Sequence, residues 1–269
     1  MSKFGQFAHL DALLVEPSAM QAKVIAHACQ ELGITRLRIV DGGNAALEAM
    51  AMARPDVVIS ALYLPDMSGT DLVQTMRATL DLENVAFILI SSETRPQALD
   101  PVRQSGVCGI VPKPFTTEQL RMALANTAEF LAEDQSVGGD FDPETLRVLL
   151  VDDSPNARKF TRRVLENLGI QHFVEANNGR EAASILGETM VDLVVTDYNM
   201  PEMDGRELVD FIRQQSWQQS VPILMVTSES DSSRLAAIEE AGVSGICDKP
   251  FEPGMVRRLL ARVLSEQEQ

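Results

Sequence analysis

The chain is poor in the side chains from which many sites are built. In 269 residues it has one tryptophan, two tyrosines, three cysteines and three histidines. Cys29, Cys108 and Cys247 are odd in number and far apart, and they form no CxxC pair. That spacing excludes a disulfide framework and fits a reducing compartment, so the expected location is the cytoplasm. His9, His27 and His172 are equally scattered, and no zinc site is expected. Basic charge is short as well: 23 Lys and Arg stand against 39 Asp and Glu, a net charge of −16 and a pI near 4.6. Such a chain is a poor match for nucleic acid, whose binding needs phosphate-neutralising cations, or for an anionic membrane surface. No apolar run reaches the roughly 18–20 residues of a membrane-spanning helix. Met1 to Leu10 lacks the basic and then apolar pattern of a secretory signal.

What is present is core material, with 45% hydrophobic residues, and it is arranged twice. LLVEPS at 13–18 answers LLVDDS at 149–154, and LPDMSG at 64–69 answers MPEMDG at 200–205. SSE at 91–93 answers TSE at 227–229, and GIVPKPF at 109–115 answers GICDKPF at 245–251. One offset of 136 residues serves every pair, which marks a duplicated domain rather than a short solenoid repeat. The expected division is a first domain over 1–134, a Gly- and Pro-containing linker over 135–145 and a second domain over 146–269.

Within the second copy, apolar runs alternate with helical patterns. Strands are expected at Arg147–Val151, Phe173–Ala176, Val191–Thr196, Pro222–Val226 and Gly245–Cys247. Helices are expected from Pro155 to the Gly169 stop, and over Gly179–Gly187, Asp204–Gln214, Asp231–Ala241 and Pro253–Leu264. Continuous apolar strands separated by helices imply a parallel sheet covered on both faces, an α/β doubly wound fold. The helical pattern Thr117–Asp134 is expected to run past the first domain. Met50, Met52, Met67 and Met76 are read as core filler, and Trp217 as partly exposed.

In a doubly wound sheet, ligands bind beyond the carboxyl ends of the strands. In the second copy those ends carry Asp152 and Asp153, Asp197, Thr227 and Lys249. Three carboxylates cannot gather unaided: at an effective dielectric of 20, each pair about 4 Å apart costs about 4 kcal/mol. A hard divalent cation such as Mg²⁺ is the natural counter-charge. An aspartate left facing it can attack phosphorus, with Lys249 as a point charge and Thr227 as a hydroxyl donor.

The stretches VLLVDDSPNARKF, VVTDYNMPEMDG, ILMVTSES and GICDKPF, in this order and at these spacings, resemble receiver domains of two-component response regulators. The second copy is similar to the chemotaxis receiver. The resemblance covers nearly all of the chain and implies two flavodoxin-like (βα)5 domains with strand order 2-1-3-4-5. It implies that Asp197 accepts a phosphoryl group from a histidine kinase or histidine phosphotransfer protein. Mg²⁺ would be ligated by Asp153, Asp197 and the backbone carbonyl of Asn199, with Asp152 acting through water. Thr227 and Lys249 would contact the phosphoryl group, Asn199 and Glu229 would tune its loss, and the Lys-Pro bonds at Pro114 and Pro250 would be cis. Ile246 stands where the family carries an aromatic switch residue.

Shifted by 136 residues, Asp197 becomes Ala61, Asp153 becomes Pro17 and Asp152 becomes Glu16, while Thr227 becomes Ser91 and Lys249 stays lysine as Lys113. Alanine cannot take a phosphoryl group, so the first copy is expected to be a pseudo-receiver. The neighbouring Asp66 aligns with Glu202 and not with the acceptor. The expected function is phosphorelay signalling without a DNA-binding or enzymatic output domain. Its output would be altered protein–protein contact over 231–264, with chemotaxis or motility as the most specific setting. Close alternatives are a phosphate sink and a kinase-regulating adaptor or scaffold. A phosphohydrolase with an aspartyl nucleophile fits less well, because Asn199 stands where such enzymes carry their acid. Arg158, Lys159, Arg162 and Arg163 share one helix face, readable either as a docking face for an acidic partner or as an ordinary solvated face. The downstream target, and whether the chain forms a homodimer or pairs its own two copies, stay open at this point.

Overall fold

In the computed structural model, residues 7–132, 143–227, 241–250, 256–257 and 260 are described. The chain divides into two compact units, Met1–Leu131 and Ala132–Gln269. The first runs β1 (Asp11–Val15), α1 (Ala19–Glu31), β2 (Arg36–Val40), α2 (Gly43–Met52), β3 (Val57–Ala61), α3 (Gly69–Ala78), β4 (Ala86–Ser91), α4 (Pro96–Arg103), β5 (Gly109–Pro112) and α5 (Thr117–Leu131). The second runs β6 (Arg147–Val151), α6 (Pro155–Asn167), β7 (His172–Ala176), α7 (Gly179–Glu188), β8 (Leu193–Asp197), α8 (Gly205–Gln214), β9 (Ile223–Thr227) and β10 (Gly245–Asp248), after a 3-10 turn at Pro143–Thr145.

Each unit is a five-stranded parallel sheet, ordered β2-β1-β3-β4-β5 and β10-β9-β8-β6-β7, the same 2-1-3-4-5 pattern in both. Even the register is repeated. Leu13 faces Val58 as Leu149 faces Val194, and Ile88 faces Gly109 as Leu224 faces Gly245. The reason lies in the strand sequences. β3, β4, β8 and β9 are buried along their whole length, as a central parallel strand covered on both faces must be. The edge strands β2 and β7 are mostly half-exposed or exposed.

Helix starts are set by local chemistry. The Ser18 and Ser154 side chains accept hydrogen bonds from the N–H groups of Gln21 and Ala157 and so cap α1 and α6. Ser68 with Asp71 and Asp204 with Glu207 form reciprocal capping boxes on α3 and α8. The glycine that opens the third helix of each unit is required by close approach. A Cβ on Gly69 would lie 2.4 Å from the Ala61 carbonyl oxygen, and one on Gly205 would lie 2.3 Å from that of Asp197. These glycines let the loop after the third strand fold back onto the strand end where the site sits.

Several expectations are adjusted. β8 and β9 extend one residue further than expected, so Asp197 and Thr227 are the last residues of their strands. α5 ends at Leu131, with Ala132 already outside the helix, short of the expected Asp134. Met50 and Met76 are buried and Met67 packs over Gly43, but Met52 is 88% exposed. It lies two residues past Met50, about 200° further round α2, and so faces solvent. Trp217 is 61% exposed, as expected. The bonds Lys113-Pro114 and Lys249-Pro250 are both cis. The expected helices at 231–241 and 253–264 lie largely outside the described residues, as does most of the expected linker; Val256, Arg257 and Leu260 are helical.

Candidate phosphoacceptor site

The parallel sheet brings the ends of β6, β8, β9 and β10 together in the second unit. Asp152 is the first residue after β6, Asp197 ends β8, Thr227 ends β9 and Lys249 follows β10; all four are buried, whereas Asp153 is exposed. Lys249 Nζ lies 2.8 Å from Asp152 Oδ2 and 3.1 Å from Asp197 Oδ2. The carboxylate oxygens of Asp152, Asp153 and Asp197 all lie within 4.8 Å of one another. Among the described residues this is the only group of three or more acids, histidines or cysteines gathered so closely. The Asp152 carboxylate accepts from the Ser154 N–H at 2.8 Å, and Asp197 accepts from the Tyr198 N–H at 2.8 Å.

The electrostatics follow from burial and crowding. Burial, helped by the neighbouring Asp197 and opposed by Lys249, pushes the Asp152 carboxyl up to about 6. Asp153 is also raised, by burial first and Asp197 second. Burial alone would pull the Lys249 ammonium down, but Asp152 and Asp197 outweigh it and hold the group above its ordinary value. Among the described residues one ammonium, that of Lys249, faces the carboxylates of Asp152 and Asp197, with Asp153 beside them. The donor set of the site is all hard oxygen. An octahedral Mg²⁺ with bonds of about 2.0–2.1 Å places its ligand oxygens about 3–4 Å apart, so the triad fits that ion with small movements.

Asn199 is exposed on the loop after β8, whose Tyr198 carbonyl accepts from the Gly205 N–H at 2.8 Å. Ile246 is half-buried on β10 and packs against the hydrophobic core. Glu229 lies outside the described residues. One residue read from the sequence only as part of a basic helix face turns out to neighbour the site. Arg158 Nη1 donates to the Asp152 carbonyl oxygen at 2.5 Å, and its Nε donates to Glu175 Oε2 at 2.8 Å. Arg158 and Thr161 also line a cavity of about 10 Å³ beside Asp152 and Asp197. The signal was an arginine one turn into α6 together with an acid on the neighbouring edge strand.

The first unit builds a different mouth from the same frame. Glu16 follows β1 and is 5% exposed; its Oε2 lies 2.7 Å from Lys113 Nζ and its Oε1 accepts from the Ser18 N–H at 3.0 Å. Ala61 ends β3 and Ser91 ends β4, where its hydroxyl accepts from the Glu93 N–H at 3.0 Å. Tyr63 donates to Glu93 at 3.1 Å, and Arg95 closes on the same carboxylate at 2.6 and 2.9 Å. Asp66 points elsewhere. It accepts from the Gly43 and Asn44 N–H groups at the start of α2, and those bonds hold its carboxyl below the usual range.

Comparison with known proteins agrees with this frame. The family model described as the response regulator receiver domain matches residues 12–125 and again 148–262. The chain belongs to the response regulator receiver family. It is a tandem-receiver response regulator, a component of phosphorelay signalling. A chemotaxis protein CheY homolog of Campylobacter jejuni is 37% identical over 120 residues, 44% of this chain and 92% of that protein. Among solved structures, the chemotaxis response regulator CheY4 of Vibrio cholerae is 35% identical, covering 44% of this chain and 98% of its own, with a TM-score of 0.41. The receiver domain of a signal transduction histidine kinase from Syntrophus aciditrophicus is 31% identical, covering 45% and 92% respectively, with a TM-score of 0.42. Receivers work with histidine kinases or phosphotransfer proteins. No helix among the described residues of this tandem receiver is long and apolar enough to cross a membrane.

Proposed function

We propose that the second receiver is a Mg²⁺-dependent phosphoacceptor with Asp197 as the accepting residue, and that the first is a pseudo-receiver. The observation that carries this reading is the contrast at the two sheet edges: three carboxylates around Lys249 in one unit, and Ala61 beside a Glu16–Lys113 pair in the other. Asp153, Asp197 and the Asn199 carbonyl would hold Mg²⁺, with Asp152 acting through water. Bound there, the ion supplies the positive charge that the carboxylates and a phosphoryl group both call for.

The residues of the chain then divide the work. An Asp197 carboxylate oxygen forms a bond to phosphorus as the phosphorus–nitrogen bond of a phosphohistidine donor breaks. The imidazole leaves with the bonding pair, and Asp197 becomes an acyl phosphate. Lys249 is already held by Asp152 and can swing its remaining donors from Asp197 to a phosphoryl oxygen without losing that anchor. The Thr227 hydroxyl, at the end of the adjacent strand, donates to another. Little covalent chemistry is asked of the protein, so positioning and charge dominate. Asn199 and Glu229 tune hydrolysis, and Ile246 replaces the aromatic switch, leaving the loop after Thr227 to carry the change. No external substrate is turned over, because Asn199 cannot serve as the proton donor of an aspartyl phosphatase.

Phosphorylation would shift the second receiver between two pre-existing states and so alter protein–protein contacts over 231–264. That surface lies largely outside the described residues. Chemotaxis or motility is the setting most in keeping with the CheY-type similarity. The functional domains are 1–134 and 146–269 with a linker between them, and three buried cysteines outside any disulfide suit the cytoplasm. On α6, Arg158 and Arg162 are engaged with Glu175, so the basic face read from the sequence is partly spent inside the domain. Intact-mass analysis after acetyl phosphate and Mg²⁺ tests the reading. One phosphate per chain is expected, absent without Mg²⁺ and absent in Asp197→Ala; two phosphates, or one that survives Asp197→Ala, would overturn it.

A further inference from the structure

Arg158 has no part in the chemistry above, yet its surroundings are built with care. Its side chain is 13% exposed, so it is not an open docking group. One guanidinium nitrogen donates to the backbone carbonyl of Asp152 at 2.5 Å, and another donates to Glu175 at 2.8 Å. The second oxygen of Glu175 accepts from Arg162 at 2.9 Å. Arg162 in turn pairs with Glu166 at 2.9 Å and stands 4.9 Å over the Phe173 ring. The Asp152 N–H bonds the Ala176 carbonyl at 3.2 Å, so the turn that presents Asp152 and Asp153 is gripped on both sides.

The first unit is an internal control. It has the same strand order and register, and Glu16 makes the matching bond to the Val40 carbonyl at 3.0 Å. Yet the positions of Arg158, Arg162 and Glu175 are there Ala22, Ala26 and Ile39. The fold forms without this clamp, which is present only beside the acidic triad. We propose that Arg158, braced by Glu175, is a positioning residue that fixes the Asp152–Asp153 turn in the shape that receives a divalent cation. The proposal rests on the reading of that triad as a Mg²⁺ site. Arg158 acts on a carbonyl and is paired with a carboxylate, so it sets geometry and adds little net field at the acids.

The test uses the full chain with Arg158→Met, Arg158→Lys and Glu175→Gln. Three quantities are read: Mg²⁺ affinity by calorimetry, amide exchange at Ser154 in the metal-free protein, and the rate of phosphorylation from acetyl phosphate against Mg²⁺ concentration. Arg158→Met is expected to weaken Mg²⁺ binding by about 10-fold, the size seen for partners of metal ligands. Exchange at Ser154 should quicken before any metal is added. The limiting rate at saturating Mg²⁺ should stay within about twofold of wild type, because the lost contact orients the loop rather than touching phosphorus. Arg158→Lys should recover part of the affinity. Glu175→Gln, which keeps the arginine, should give a smaller loss in the same direction and stands in if Arg158→Met does not fold. Unchanged affinity and exchange in folded variants would overturn the proposal, as would tighter Mg²⁺ binding, which would mean that the site feels the charge and not the bond. A wild type that binds no Mg²⁺ would sink the metal reading itself, and the metal-free exchange would still judge the clamp.

Discussion

One carboxylate meets one ammonium at the edge of the first sheet, whereas at the edge of the second two meet one and a third stands beside them. The frames are otherwise matched strand for strand and register for register. Glu16 with Lys113 is a balanced pair that needs nothing further. The second site gathers two buried carboxylates and a third at its rim, a crowding of like charge that a bound cation would relieve. The difference teaches that a receiver's architecture and its chemistry are separable: the same sheet can be kept while the charge at its mouth is cancelled.

The largest effect expected is total. Asp197→Ala should remove all phosphate uptake, while the reciprocal Ala61→Asp should add none, because Pro17 and Glu16 still leave the first unit without a divalent site. Adding Glu16→Asp and Pro17→Asp to Ala61→Asp should create a second Mg²⁺ site, counted by calorimetry. A second phosphate on the single variant Ala61→Asp would break the comparison.

Next come the two lysines. Lys113→Met strands the buried Glu16 and should destabilise the first unit by about 3 kcal/mol, the low end for breaking a buried pair, since Lys113 is partly exposed. Lys249→Met strands the acids of the second unit. Mg²⁺ should recover much of that loss by binding the folded state alone, and should recover nothing for Lys113→Met. Trp217, the single tryptophan, lies in the second unit and reports its unfolding by fluorescence.

A smaller effect concerns pH. The Asp152 carboxyl is raised from 3.8 to about 6 in the folded protein, so between those values the folded state binds more protons than the unfolded one. Without metal, the second unit should therefore gain stability as pH falls through 6 towards 3.8, and lose that gain as pH rises. Mg²⁺ competes with the same proton, so its affinity should drop below about pH 6, approaching tenfold per pH unit. A flat Mg²⁺ affinity between pH 7 and 5 would contradict the burial assigned to Asp152. The smallest effect is expected for Tyr63→Phe, which removes one exposed hydrogen bond to Glu93 and should cost under about 1 kcal/mol by denaturant titration.

Much of this was legible from residues alone. The constant offset of 136 carried the duplication, and apolar runs such as VDLVVT and PILMV carried the parallel sheet. Residues directly after those runs had to meet, because parallel strands end on the same side; Asp152, Asp197, Thr227 and Lys249 followed from that rule. What escaped was set by contacts across elements. Met52 is apolar yet faces solvent because helix phase, not composition, decides burial. The basic stripe of α6 looked uniform, but Arg158 and Arg162 turn toward Glu175 on a strand that the helix pattern does not mention. The knot of Tyr63, Glu93 and Arg95 spans two loops, and no periodicity announces it.

The asymmetry between the two units is tested most directly by following the full chain, isotopically labelled, in a Mn²⁺ titration by nuclear magnetic resonance. Mn²⁺ takes the same oxygen ligands as Mg²⁺ and broadens the signals of nearby nuclei. The account predicts early loss of the Asp153, Asp197 and Asn199 amide signals, with those of Pro17's neighbours, Ala61 and Tyr63 left sharp. Equal broadening at both sheet edges, or broadening centred on Ala61, would contradict it.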